Sequence, residues 1–198
     1  MKKSTTLVKT LFGAAALTLC LGVTSCKNEA KPEDTKEVAE DQNEVKFDEN
    51  ESKEDDSEFL VDAAETSMAE VETGKLALTK STDTKVKEFA NMMIKDHTKA
   101  GAETKAFADR LNVSLPAALT DEGKEHYNKL NEKSGVDFEK EYADMMVKGH
   151  EDAISKMEKA STDGNDPEVK AWATNMIPTL KAHLEHAKSL QELVKNKK

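Results

Sequence analysis

Cysteine is nearly missing from this chain. Its two copies, Cys20 and Cys26, both lie within the first 26 of 198 residues. Residues 27–198 therefore hold no disulfide, thiolate metal site or cysteine nucleophile. Aromatic residues are also scarce, at 5% against 34% charged residues. That balance points away from a sheet-rich core and toward helices with a large charged surface. There is no P-loop, no glycine-rich dinucleotide turn and no G-x-S-x-G, so the usual signatures of nucleotide-dependent and nucleophile-elbow chemistry are lacking. Basic residues are outnumbered, 29 against 39 acids, for a formal net charge of −10. Such a balance argues against nucleic acid, or an anionic membrane face, as partner. The longest apolar run, Leu11 to Val23, is too short to span a bilayer comfortably.

That run has the form of an address. Lys2, Lys3 and Lys9 make a positive n-region, Leu11 to Val23 an apolar h-region, and the segment ends Val23-Thr24-Ser25-Cys26. The last four residues resemble a bacterial lipobox. The resemblance implies cleavage before Cys26 and lipid on its sulfur, and several acyl chains give stable anchoring where one would be marginal. We therefore expect residues 1–25 to be a lipoprotein signal peptide and Cys26 the lipidation site. The protein is expected in the cell envelope, at the outer membrane, with the membrane as partner through that lipid. Residues 26–56 read as an acidic disordered tether. From 27 to 56 there are 13 acids and 5 lysines, and Val38, Val45 and Phe47 are the only large apolar residues. Such a composition buries too little surface to offset its ordering entropy.

From residue 57 the pattern changes to helical stripes. Phe59, Leu60, Ala63, Ala64, Met68, Val71 and Leu78 line one face of a helix over about 57–79, with Ser57 as its cap. A turn at 81–83 leads to a second helix, about 84–112, striped by Val86, Phe89, Ala90, Met93, Ala100, Phe107, Ala108 and Leu111. Residues 113–133 form a long connection with room for a short helix over 120–130. A third helix follows Ser134 to about Ala160. A fourth opens Asp166-Pro167-Glu168, a cap and a proline at the first helical position, and Pro178 should kink it near Thr174. The halves repeat. Val86-Lys87-x-Phe89-Ala90 and Met93-Ile94 return as Val169-Lys170-x-Trp172-Ala173 and Met176-Ile177, while Phe59, Asp62, Glu65 and Glu72 match Phe138, Glu141, Asp144 and Glu151. The expected fold of residues 57–198 is all-α: an antiparallel four-helix bundle of the ferritin-like variety, built from two helical hairpins joined by a long connection.

Specific residues strengthen this reading. Ala69-Glu70-Val71-Glu72 with Leu76-Ala77, Met93 with Asp96-His97-Thr98, Ser134-Gly135-x-Asp137-Phe138 with Tyr142, His150, Pro178-Thr179-Leu180 and His183-Leu184 resemble the bacterial family known as domain of unknown function 4142. The resemblance spans Glu58 to Leu190 and implies a ferritin-like bundle, with no established activity.

The chemistry the residues offer lies at mid-height. His97, His150 and His183 each fall on the apolar stripe near the middle of a helix, and Glu70 lies midway along the first. Mid-height positions of antiparallel helices meet, so three imidazoles and a carboxylate could share one level of the core. Neutral imidazole with carboxylate is a ligand set for zinc, copper or iron. The same groups could instead satisfy one another as a hydrogen-bonded core network. Asp96 and Glu151 point about 100° off the stripe and are set aside. Ferritin-like di-iron proteins use Glu-x-x-His pairs, but Ile94, Val147 and Leu180 stand three residues before the three histidines. His186 falls off the stripe, and the methionines read as core filler. No serine or cysteine has a credible base. Two functional readings follow: a non-catalytic binding or structural module of the envelope, or a transition-metal protein using Glu70, His97, His150 and His183.

Overall fold

The computed structural model describes residues 33–197. The expected leader, Cys26 and residues 27–32 lie outside them. Six helices make up the described chain: α1 (Thr35–Phe47), α2 (Glu51–Lys80), α3 (Thr84–Leu111), α4 (Asp121–Asn131), α5 (Gly135–Asp163) and α6 (Pro167–Lys195). No strand occurs among the described residues, so the all-α class holds. None of these helices is long and apolar enough to cross a membrane.

The starts of the helices are written in the sequence. Asp34, Asn50, Asp83, Thr120 and Asp166 each accept a hydrogen bond from a first-turn backbone N–H, satisfying donors that have no partner within the helix. Pro167 takes the first position of α6, where its missing N–H costs nothing. Between α4 and α5 the chain needs a left-handed turn, and Gly135 supplies it at φ 56°. Pro178 lies inside α6 without ending it.

Helix α2 lies along α3 and α5 along α6; α2 also meets α5, and α3 meets α6. Small residues set the first spacing. A Cβ on Gly74 would stand 2.9 Å from Ile94 Cγ1 and 3.3 Å from the Ala90 carbonyl, and one on Gly101 would stand 3.4 Å from Ser67 Cβ. Outer ion pairs join the others: Lys156–Asp62 between α5 and α2 (2.7 Å), Lys181–Glu158 between α6 and α5 (2.9 Å), and a bidentate Arg110–Asp166 pair between α3 and the start of α6.

The buried apolar residues form two clusters. One gathers Leu76, Phe89, Met93, Phe138, Tyr142, Met146, Leu190 and their neighbours. The other gathers Ala63, Ala100, Ile154, Met157, Trp172 and Leu180, with Phe59 and Phe107 against it. On every long helix a titratable side chain lies between them, flanked on α2 by the buried Ser67 and Thr73. Glu70 falls between Ala63 and Leu76, His97 between Met93 and Ala100, His150 between Met146 and Ile154, and His183 between Leu180 and Ala187.

The expected tether is corrected over residues 34–56. Helix α1 occupies Thr35–Phe47, and α2 begins at Glu51, six residues before the expected cap Ser57. The physical reason is a stripe too short for average composition to reveal. Ala39, Asn43 and Phe47 recur every fourth residue and are buried, and polar groups fix them in place. Lys36 Nζ bridges Asp62 and Glu65 of α2 at 2.7 and 2.8 Å. The Asn43 side chain donates to the Ser114 carbonyl (2.9 Å) and accepts from the Ser114 N–H (2.7 Å). Farther on, the buried Asp56 carboxylate accepts from the N–H groups of Asn165 and Asp166, at 2.9 and 2.7 Å, in the turn before α6.

Candidate metal centre

Helices α3, α5 and α6 bring His97, His150 and His183 together. The ring centroids are 5.7 Å apart for His97–His150, 5.8 Å for His97–His183 and 5.3 Å for His150–His183. All three are buried, and each offers one ring nitrogen such that the three nitrogens lie within 4.8 Å of one another.

Two of the rings are held from outside. His150 Nδ1 lies 2.8 Å from the Met146 carbonyl, one turn back on its own helix. A carbonyl only accepts, so Nδ1 carries the proton and Nε2 presents a lone pair. His183 Nε2 lies 3.1 Å from Asp96 Oδ2 on α3; it donates to that carboxylate and leaves Nδ1 bare. The nitrogens that remain, His150 Nε2, His183 Nδ1 and His97 Nε2, are buried without a hydrogen-bond partner among the described residues. Outer partners of this kind fix the tautomer and orientation of histidines that ligate metals.

Burial also sets the protonation states. Desolvation, with smaller contributions from the other two rings, lowers His97 to about 3. Desolvation lowers His150 to about 4 and lowers His183 as well, against the pull of Asp96. All three imidazoles are neutral at pH 7, the form that ligates metals. Glu70 stands beside the cluster rather than within it. Its Oε1 is 3.8 Å from His150 Nδ1, the nitrogen already bound to Met146, and its Oε2 is buried without a partner. Desolvation pushes this carboxyl up to about 8, so Glu70 and His150 face each other as neutral groups and not as an ion pair. The Tyr142 hydroxyl is likewise buried and unpartnered, and is held protonated by desolvation first and Glu70 second.

Asp96 is the residue that reading along one helix misses. The 100° that takes it off the stripe of α3 turns it toward α6, where it meets His183. The signal was present in the Asp96-His97 pair, but its target sits 87 residues away. Glu151, set aside with it, is on the surface beside Lys188 at 3.6 Å. His126 and His186 are exposed.

These features define an all-helical protein with a buried, neutral three-histidine cluster. The chain belongs to the family described as domain of unknown function (DUF4142), whose model matches residues 42–190. No curated protein and no solved structure matches it.

Proposed function

We propose that this protein binds a divalent transition-metal ion, zinc foremost, through His97, His150 and His183. In this reading it sits in the cell envelope on a lipid carried by Cys26 and has no catalytic role of its own. The four long helices would be a four-helix bundle of ferritin-like connectivity, since residues 112–134, with α4 among them, join the α2–α3 and α5–α6 hairpins. The observation that carries the metal reading is the set of three inward nitrogens with no protein partner. A self-satisfying network would pair them. Left unpaired, each costs about 1–3 kcal/mol, and the lone pairs of His150 Nε2 and His183 Nδ1 face the same buried space. One cation satisfies all three. Zinc holds imidazole nitrogens at about 2.0–2.1 Å in tetrahedral geometry, which brings them to roughly 3.4 Å of one another. The rings therefore close by little more than an ångström from their 4.8 Å limit. A fourth position would stay open, and Glu70, whose Oε1 is 3.8 Å from His150 Nδ1, is a neutral carboxyl whose proton loss would offset the ion's charge. The absence of Glu-x-x-His pairs argues against di-iron chemistry.

The chain loaded with zinc should hold one equivalent and melt at a temperature that rises with free zinc, by mass action. His97→Ala and His183→Ala should each abolish stoichiometric binding and the metal-dependent melt. Asp96→Asn should keep the site but weaken it about 10–100-fold. Wild-type protein that retains no zinc, copper or iron and melts identically with each would overturn the proposal. For the anchor, Cys26→Ser should leave an uncleaved or soluble product; unchanged acyl labelling and membrane yield would remove it.

A further inference from the structure

The three histidines are not anchored alike. Met146 holds the outer nitrogen of His150 and Asp96 that of His183. The outer nitrogen of His97, Nδ1, makes no hydrogen bond to another described residue, and unlike Nε2 it is not sealed in the core. With a metal on Nε2, Nδ1 carries the proton and is a donor that no described protein group answers. His97 also lines a groove of about 930 Å³ between α2, α3 and the 113–119 connection. Away from His97 the apolar walls are Met68, Val71, Ala108, Leu115 and Leu119, with Lys105 and Lys124 among the polar lining. From His97 to Ala108 the groove follows α3 for on the order of 16 Å, at 1.5 Å per residue. Elsewhere among the described residues only Val45 and Leu193 are large apolar side chains left exposed, so an apolar channel of this size stands out from the rest of the surface. Acids at its rim are neutralised locally, Glu72 by Lys75 and Asp109 by Lys105, both at 2.7 Å. A negatively charged head is thus not turned away.

We infer that this groove binds an aliphatic carboxylate. Its head accepts the hydrogen bond that His97 Nδ1 has to give, and its chain lies along the apolar walls toward Leu115 and Leu119. The ligand does for His97 what Asp96 does for His183: it fixes the ring and raises the basicity of the inward nitrogen. Metal and ligand then strengthen each other, because coupling between two sites is reciprocal. This coupling rests on the metal reading above. A short carboxylate fills the head position but leaves the walls wet, so affinity grows with chain length as methylenes are buried.

Dodecanoate, below its micellar concentration, is the probe, with acetate and dodecylammonium for comparison. On the full chain, dodecanoate should tighten zinc binding about tenfold, the scale of an outer-partner effect, and acetate and dodecylammonium should not. Leu115→Trp, on the connection, and Thr98→Trp, on the exposed flank of α3 at the groove, should each abolish dodecanoate binding while zinc affinity without dodecanoate is unchanged. Zinc affinity indifferent to dodecanoate, or dodecanoate bound equally by both variants, would overturn the inference. If zinc does not bind at all, the metal reading falls by itself. Calorimetry of dodecanoate on the metal-free chain then decides the groove: binding lost in the two Trp variants upholds it, and no binding ends it.

Discussion

Removing residues 27–56 should destabilise the protein by about 3–6 kcal/mol, a large share of the stability of an ordinary domain. The largest single part comes from Phe47, whose burial is worth roughly 1.5–3 kcal/mol. The paired hydrogen bonds between Asn43 and Ser114 add about 1 kcal/mol each. Losing Asp56 leaves the Asn165 and Asp166 N–H groups unanswered in the turn before α6. The ordering entropy of α1 is recovered on truncation and keeps the net below the sum of these parts. Urea unfolding of chains starting at residues 27, 49 and 57 checks this and divides it. The step from 27 to 49 reports α1, and the step from 49 to 57 reports Asp56. Midpoints that agree across all three would mean that α1 does not dock.

The four long helices and the convergence of their histidines were readable because stripe and centre are local properties of each helix. Met93 and His97 share a face whatever the neighbours do, and equal helix lengths put the middles at one level. Helix α1 was not readable on those terms. Its stripe has three members, one of them the polar Asn43, and much of what orders it comes from Asp62, Glu65 and Ser114, far along the chain. Glu70 was placed at the right level, but its register against α5 puts it on the outer nitrogen of His150. Only the packed rotamer settles on which side of a ring a neighbour lies.

The metal-free protein should be most stable near pH 6.5 and lose stability on both sides. His97 and His150 sit at about 3 and about 4 in the native state, below their ordinary 6.5, and His183 is lowered too. As pH falls below 6.5 the unfolded chain takes up imidazole protons that the native protein refuses, so this stability is lost toward acid. Glu70 works in the opposite sense. Its native carboxyl, raised from 4.5 to about 8, keeps a proton that the unfolded chain releases. That contribution is complete below 4.5 and is lost as pH rises through about 8. Between 4.5 and 6.5 the unfolded chain can hold up to three imidazole protons against one native carboxyl proton. Stability therefore falls toward acid as the imidazole protons bind to the unfolded chain, and falls toward alkali as the native Glu70 proton is lost. Urea midpoints from pH 5 to 8 in chelator measure both. Glu70→Gln should flatten the alkaline arm and spare the acid one, whereas a profile with no maximum would contradict neutral imidazoles beside a protonated carboxyl.

The layer of polar side chains between the two apolar clusters also limits how the helices can slide. Shifting α3 or α6 by one turn, about 5.4 Å, would drive an imidazole in among Met93, Phe89 and Met146 or in among Trp172 and Ile154. Its nitrogens would find no acceptor there, and the displaced methionine or leucine would meet the remaining rings. Uniform apolar stripes tolerate such slippage, and a single buried polar position can forbid it. Here each of four helices carries a titratable one between the two apolar clusters, so the alignment of the helices is specified at that polar level.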